Sequence, residues 1–327
     1  MNDRAVSILE QYDLSVERTW KGRGAILFET KDGIYILKEY KGAVSRLSFL
    51  AEHLQKIYEN GYADVERIVP NKEGEFFCVD YYRTTYVVKR YFEAKECNIK
   101  DKQECLQGMR ALGRLHNAMD GIGCEGTSEL ETLPLLYELR KRNGELKRVR
   151  RYLQQKGQKS DFERFLQSHY DYFFANAEAV LDALEKENTD YWKGNIQHAG
   201  TYCHGDYQYH NILMSNEHCY IINFDKMTLD NPIRDVYFYS RKLLEKNNWD
   251  LSLGRELIGT YNEERKLQEE DMLQLKYRFL YPEKFWKIVN FYYNSPKAWI
   301  SYKNKEKLDT ILKQEEMRNR LIHTMFE

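Results

Sequence analysis

The feature that most limits the fold of this chain is a pair of short apolar runs in its second half, where nearly everything else has helical spacing. "TYCHGDYQYHNILM" covers residues 201–214 and "CYIINFDKMTLDNPIRD" covers 219–235. Between "NILM" and "CYIINF" lies only the polar gap "SNEH", so the two runs read as strand, turn and strand. A hairpin of this kind sets the polar residues at its strand ends side by side. Those residues are His204, Asp206 and Asn211 on the way in, and Asn223 and Asp225 on the way out.

The surrounding pattern gives the hairpin a frame. "GAILFET" (24–30) and "GIYILKEY" (33–40) are apolar strands joined at Lys31-Asp32. A helix follows, with Val44, Leu47, Leu50, Leu54 and Ile57 at helical spacing and Gly61 as its stop. "GEFFCVDYY" (74–82) and "TTYVVKRYF" (84–92) then read as two more strands. From residue 101 onward amphipathic helices dominate, over 101–119, 133–156, 161–187 and from Pro232 to the end. The expectation is an α+β protein with a small antiparallel β lobe carrying one helix (residues 1–92) and a larger, mainly helical lobe (93–327) that holds the hairpin 201–225.

Composition narrows the function classes. With 50 Lys and Arg against 51 Asp and Glu, the net charge of −1 argues against a general nucleic-acid binder. One local basic run, "ELRKRNGELKRVRRYLQQKGQK" (138–159), reads either as a solvated helix face or as a docking surface for an acidic partner. No stretch approaches the ~18 apolar residues of a membrane span. The first residues, "MNDRAVSILEQYDL", carry Asp3, Arg4 and Glu10 and so lack a signal-peptide core. Synthesis and retention in the cytoplasm are expected unless a partner recruits the chain elsewhere. The six cysteines form no CxxC pair and read as reduced thiols, not as zinc ligands.

The hairpin residues suit phosphoryl transfer from ATP, which needs few parts: a group to orient or deprotonate the acceptor hydroxyl, ligands for magnesium, and a cation on the phosphates. A carboxylate two residues after a packing histidine can face a hydroxyl, which assigns Asp206 and His204. An asparagine five residues later can offer its amide oxygen to a metal, which assigns Asn211. The returning strand should deliver a second metal ligand beside it.

"HGDYQYHN", "INFDKMTLDNPIRD", "YPEKFWKIVNFYYNSPKAW", "GYADVERIVPNKEGEFF" and "ALGRLHNA" together resemble the aminoglycoside phosphotransferase/choline kinase superfamily, and within it the CotS family of spore coat proteins. The resemblance runs over nearly the whole chain. It implies a bilobal protein-kinase-like fold and ATP with Mg²⁺ as cosubstrates. It also implies an unknown small-molecule or glycan acceptor, other coat proteins as partners, and deposition in the spore coat. By the same resemblance Lys38 fits the phosphate-holding lysine. Glu52 is its expected helix partner, with Glu59 on the same helix as the competitor. Tyr91 and Glu93 bracket a hinge for the adenine. "KGRG" (21–24) is a poor glycine-rich loop, and Asp235 matches an aspartate that supports the catalytic loop.

Asn223 departs from the family pattern, in which the returning strand reads Ile-Asp and the aspartate binds metal. At an effective dielectric of ~20, a divalent cation about 4 Å from a carboxylate gains roughly 8 kcal/mol gross, and an amide forgoes that charge. Magnesium favours carboxylates, so a site of Asn211 and Asn223 should be weak, with Asp225 two residues on as a conceivable substitute. Three readings stay open. One is a phosphotransferase linked to coat assembly. Another is a catalytically impaired relative that binds nucleotide or glycan weakly and serves as a coat structural or assembly protein. The third is a fold-only structural protein that packs its Tyr-rich and Arg/Lys-rich surfaces against other coat proteins.

Overall fold

The computed structural model describes residues 7–22, 25–123, 132–187, 201–216, 218–294 and 301–326. It is a mixed α+β protein with an antiparallel sheet in its N-terminal region and a helical C-terminal region. The chain makes two compact units, Met1–Glu125 with Thr201–Thr228, and Gly126–Gly200 with Leu229–Glu327.

The first unit is built on a six-stranded sheet. Strands β1 (Arg18–Gly22), β2 (Ala25–Thr30), β3 (Gly33–Glu39) and β6 (Thr85–Arg90) follow one another antiparallel, and β4 (Ile68–Val69) and β5 (Cys78–Val79) both pair with β6. The expected Lys31-Asp32 turn is present: Thr30 pairs with Gly33, which sits at φ 127°, and the Asp32 amide donates to Thr30 Oγ1 at 3.1 Å. Glycine bears that positive φ without strain. Ile8, Leu9, Tyr12, Phe28, Tyr35, Leu37, Cys78 and Val88 form the core on one face. The strand expected over 74–82 shrinks to two residues. Asn71 Oδ1 accepts from the Glu73 and Glu75 amides, and Asp80 Oδ1 from those of Tyr82 and Thr84, so side chains take up backbone donors that a ladder would have used.

Helix α1 (Val44–Glu59) buries Leu47, Leu50, Ala51, Leu54 and Ile57. Helix α2 (Lys102–Met119) begins where Asp101 caps the amides of Gln103 and Glu104. Strand β8 (Tyr202–Cys203) leads into the His204 loop, and a second sheet joins β7 (Lys95–Glu96) to β9 (Ile212–Met214) and β10 (Cys219–Ile221). Its register sets Cys219 opposite Met214, Tyr220 opposite Leu213 and Ile221 opposite Ile212, which is the hairpin the sequence implied.

In the second unit the long helices α3 (Leu135–Gln155) and α4 (Asp161–Lys186) precede α5 (Ile233–Lys246), α6 (Leu251–Glu264), α7 (Glu269–Leu280), α8 (Glu283–Asn294) and α9 (Ser301–Phe326). Leu136, Leu146, Phe162, Leu166, Phe173, Ala177, Leu184 and Leu308 are among its fully enclosed core residues. The basic run of α3 is partly paired within the unit and partly exposed. Arg140 pairs with Glu185, Arg150 with Asp171, and buried Arg142 with Glu138, while Lys141, Lys147, Arg148 and Arg151 remain exposed. Glu138 also faces Arg278 and Arg234 at 3.5 and 3.8 Å. No described helix is long and apolar enough to cross a membrane. The five described cysteines are free and buried.

Candidate functional site

The site residues lie within the first unit. At its base His204 is wholly buried, and its ring is oriented from both sides. The Asp206 amide donates to Nδ1 at 3.2 Å, so Nδ1 is unprotonated; Nε2 then carries the proton and donates to the Ile222 carbonyl at 3.0 Å. His204 thus ties the loop before β9 to the strand returning after β10. Gly205 makes that loop geometrically possible. It sits at φ 76°, and a Cβ there would stand 2.0 Å from the Lys226 carbonyl oxygen.

From this base a directed chain of hydrogen bonds crosses the site. Lys38 Nζ donates to Asn223 Oδ1 at 3.4 Å, Asn223 Nδ2 to Asn211 Oδ1 at 2.8 Å, and Asn211 Nδ2 to the Asp206 carbonyl at 2.8 Å. The polarity is forced. An ammonium only donates, so the Asn223 atom facing it must be oxygen, and each amide after it is fixed in turn. Asn223 takes the left-handed conformation, φ 64° and ψ 55°, which asparagine tolerates better than most residues.

A second cation stands beside Lys38. The sheet pairs Lys38 with Val87 and Ile36 with Lys89, so the two lysines occupy the same face, one step apart along β6. Lys89 is 1% exposed and donates to Glu66 Oε1 at 3.0 Å, while Glu66 is 3% exposed. Glu66 arrives there because residues 64–66 pair with β10: Ile221 N donates to the Asp64 carbonyl, and Glu66 N to that of Ile221. Its Oε1 also accepts the Phe224 amide at 3.0 Å. Burial alone would raise the Glu66 carboxyl, but Lys89, Lys38 and the Phe224 amide hold it at about 2. Burial would likewise lower Lys89; Glu66 and Asp225 outweigh it and raise the ammonium above its ordinary value. Lys38 moves the other way, lowered by burial and by repulsion from Lys89. Among the described residues no carboxylate lies within ion-pair distance of Lys38.

Two expectations need correcting. Glu52 is exposed on α1 and does not pair with Lys38; the buried carboxylate beside the lysines is Glu66. Asp225 sits on the 3₁₀ turn Phe224–Lys226 and not on an extended strand, so the i, i+2 alignment with Asn223 does not hold; its Oδ1 contacts Lys89 at 3.4 Å and Arg46 holds its backbone carbonyl at 2.8 Å. Asp206 is engaged as well. Its Oδ2 accepts from Lys226 Nζ at 2.8 Å and its Oδ1 from Gln208. Burial pushes that carboxyl up, but these donors and the Lys226 charge bring it below its usual value.

Tyr91 and Glu93 flank β6 and β7, and the Tyr91 amide donates to the Ile34 carbonyl at 2.9 Å. Phe92 between them stacks on Tyr220 of β10, with centroids 4.1 Å apart and planes 11° from parallel. The glycine-rich stretch 21–24 lies partly outside the described residues, at 23 and 24. Sequence reasoning missed Glu66, Lys89 and Lys226. A lysine within the apolar run "YVVKRYF" was the available signal, since buried lysines demand a partner.

The donors do not fit a divalent cation. Asn211 and Asn223 share one hydrogen bond where two oxygens would have to converge, and neither brings charge. Among the described residues no three His, Cys, Asp or Glu side chains gather in a metal-holding group.

Solved structures with a similar fold are small-molecule kinases. The aminoglycoside phosphotransferase from Alicyclobacillus acidocaldarius superposes with a TM-score of 0.82 at 17% identity, covering 98% of this chain and 94% of its own. Spectinomycin phosphotransferase APH(9)-Ia, solved with ADP and spectinomycin, gives 0.62 at 15% identity over 94% and 96% of the two chains. The amicoumacin kinase hAmiN, solved in complex with AMP-PNP, Ca²⁺ and Ami, gives 0.60 at 11% identity over 98% and 94%. At these identities the likeness establishes the kinase-like fold alone. A family model described as "Spore coat putative kinase YutH" matches residues 5–325. With that match across almost its full length, the chain belongs to the YutH family of CotS-like spore coat kinases.

Proposed function

We propose that this protein binds ATP within its first unit, with the phosphates against Lys38 and the adenine near Tyr91–Glu93, and serves the spore coat as a kinase-fold component with attenuated phosphoryl transfer. The observation that carries this reading is the chain Lys38–Asn223–Asn211–Asp206, which assembles the phosphate-holding cation and the base loop in one place. Nucleotides in the spectinomycin phosphotransferase and amicoumacin kinase structures suggest the ligand class. Attenuation follows from the same contacts. The two amides bond to each other, and Asp206, already lowered and paired with Lys226, is a weak base at neutral pH.

A second reading, transfer to a hydroxyl of a small-molecule or sugar-containing acceptor, is favoured by the partly exposed Asp206 carboxylate. There Asp206 would accept the hydroxyl proton as the acceptor oxygen bonds to the γ-phosphorus and ADP leaves. Calorimetric titration with ATP separates these readings from a purely structural role. Binding that Lys38→Met weakens by about tenfold or more supports a nucleotide site. No heat at millimolar ATP would overturn it. Label transfer from γ-labelled ATP that Asp206→Asn abolishes would establish the second reading.

A further inference from the structure

We propose that Asn223 makes the phosphate site of this protein independent of divalent cations: its amide N–H bridges to Asn211 where a metal would sit, and Lys38 alone supplies the positive charge to the nucleotide. The inference rests on the nucleotide-binding reading above and deepens it.

Three observations converge on it. The first is the one-way polarity of the chain, in which Lys38 donates to Asn223, Asn223 to Asn211, and Asn211 to the Asp206 carbonyl. Every amide hydrogen-bonding role used in this chain is satisfied without an ion, and the amide at position 223 both accepts from the lysine and donates onward, which an ionised carboxylate cannot do. A carboxylate there would face Asn211 Oδ1 acceptor to acceptor, a clash that a cation between them would relieve. Second, Asp225, on the 3₁₀ turn Phe224–Lys226 that follows Asn223, contacts Lys89 at 3.4 Å, and Glu66 is committed to the same lysine at 3.0 Å. The nearby negative charge is thus held by a built-in cation. Third, among the described residues Lys38 has only a long hydrogen bond to an uncharged amide oxygen, although Lys89 next to it is paired with Glu66 and Asp225. It is the under-partnered cation of the cluster, placed to take a phosphate oxygen directly.

The test is the affinity of the full-length protein for a fluorescent ATP analogue, read by anisotropy in EDTA and in excess Mg²⁺. The wild-type dissociation constants should agree within about threefold in the two buffers. In Asn223→Asp, Mg²⁺ should tighten binding by about tenfold or more relative to EDTA. Lys38→Met should weaken wild-type binding in both buffers alike. Wild-type binding that collapses in EDTA overturns the inference while leaving the nucleotide site standing. Absence of binding in either buffer overturns the nucleotide reading and this inference with it. The wild-type comparison needs no variant, so poor folding of Asn223→Asp does not spoil the test.

Discussion

Replacing Glu66 by Gln should be among the most damaging single changes in the first unit. Lys89 and Glu66 are nearly inaccessible and 3.0 Å apart. At an effective dielectric of ~20 their attraction is about 5 kcal/mol gross, before the desolvation of both groups is subtracted. The net value of the pair is therefore modest, but removing one partner strands the other charge in the interior, at a cost of about 3–5 kcal/mol. Gln retains an oxygen for the Phe224 amide, so Glu66→Gln isolates the charge. For a unit of this size that loss lowers the melting midpoint by roughly 6–20 °C. Lys89→Met should do the same, and the double variant should recover most of the loss because neither charge is then stranded. The assay is a thermal or urea denaturation cycle over the four proteins. Singles that each cost under about 1 kcal/mol and simply add would refute the buried pair as described.

Three further outcomes follow from the same geometry. The Glu66 carboxyl is held at about 2 against an ordinary 4.5, so its contribution is complete above pH ~4.5 and is lost as pH falls toward ~2; it amounts to roughly 3 kcal/mol. Stability curves of wild type and Glu66→Gln should converge over that interval, and parallel curves would contradict the assignment. Gly205→Ala should cost about 3 kcal/mol or more, since the new Cβ meets the Lys226 carbonyl and the positive φ is strained; an unchanged denaturation midpoint would be incompatible with the loop geometry. Lys226→Met should alter stability by less than about 1 kcal/mol because the lysine is largely exposed. Carboxyl NMR should nevertheless find Asp206 titrating nearer its usual range, and no movement would show that Lys226 is not the group that lowers it.

Much of this architecture was legible in the chain because it is carried by local periodicity and short-range spacing. The β2–β3 turn at Lys31-Asp32, the helices α1 and α2 and the hairpin β9–β10 all follow from residues within a few positions of one another. The Glu66–Lys89 pair was not legible, because it depends on residues 64–66 pairing with a strand more than 150 positions away. Glu52 is an instructive miss. The apolar stripe Leu47, Leu50, Leu54 and Ile57 already fixed the buried face of α1, and position 52 lies between two of its turns on the opposite side. A family expectation outweighed a periodicity that pointed the other way. The strand over 74–82 failed for a different reason: Asn71 and Asp80 captured backbone amides locally, and β propensity cannot compete with a satisfied turn.

In the metal-independent site proposed above, Asn223 hydrogen-bonds to Asn211 in the place where a cation would bridge them. Crystals soaked with ATP and Mn²⁺, measured for the anomalous signal of manganese, test it most directly. Phosphate density against Lys38 is expected, with no manganese peak between the two asparagines. A peak coordinated by both amide oxygens would contradict it.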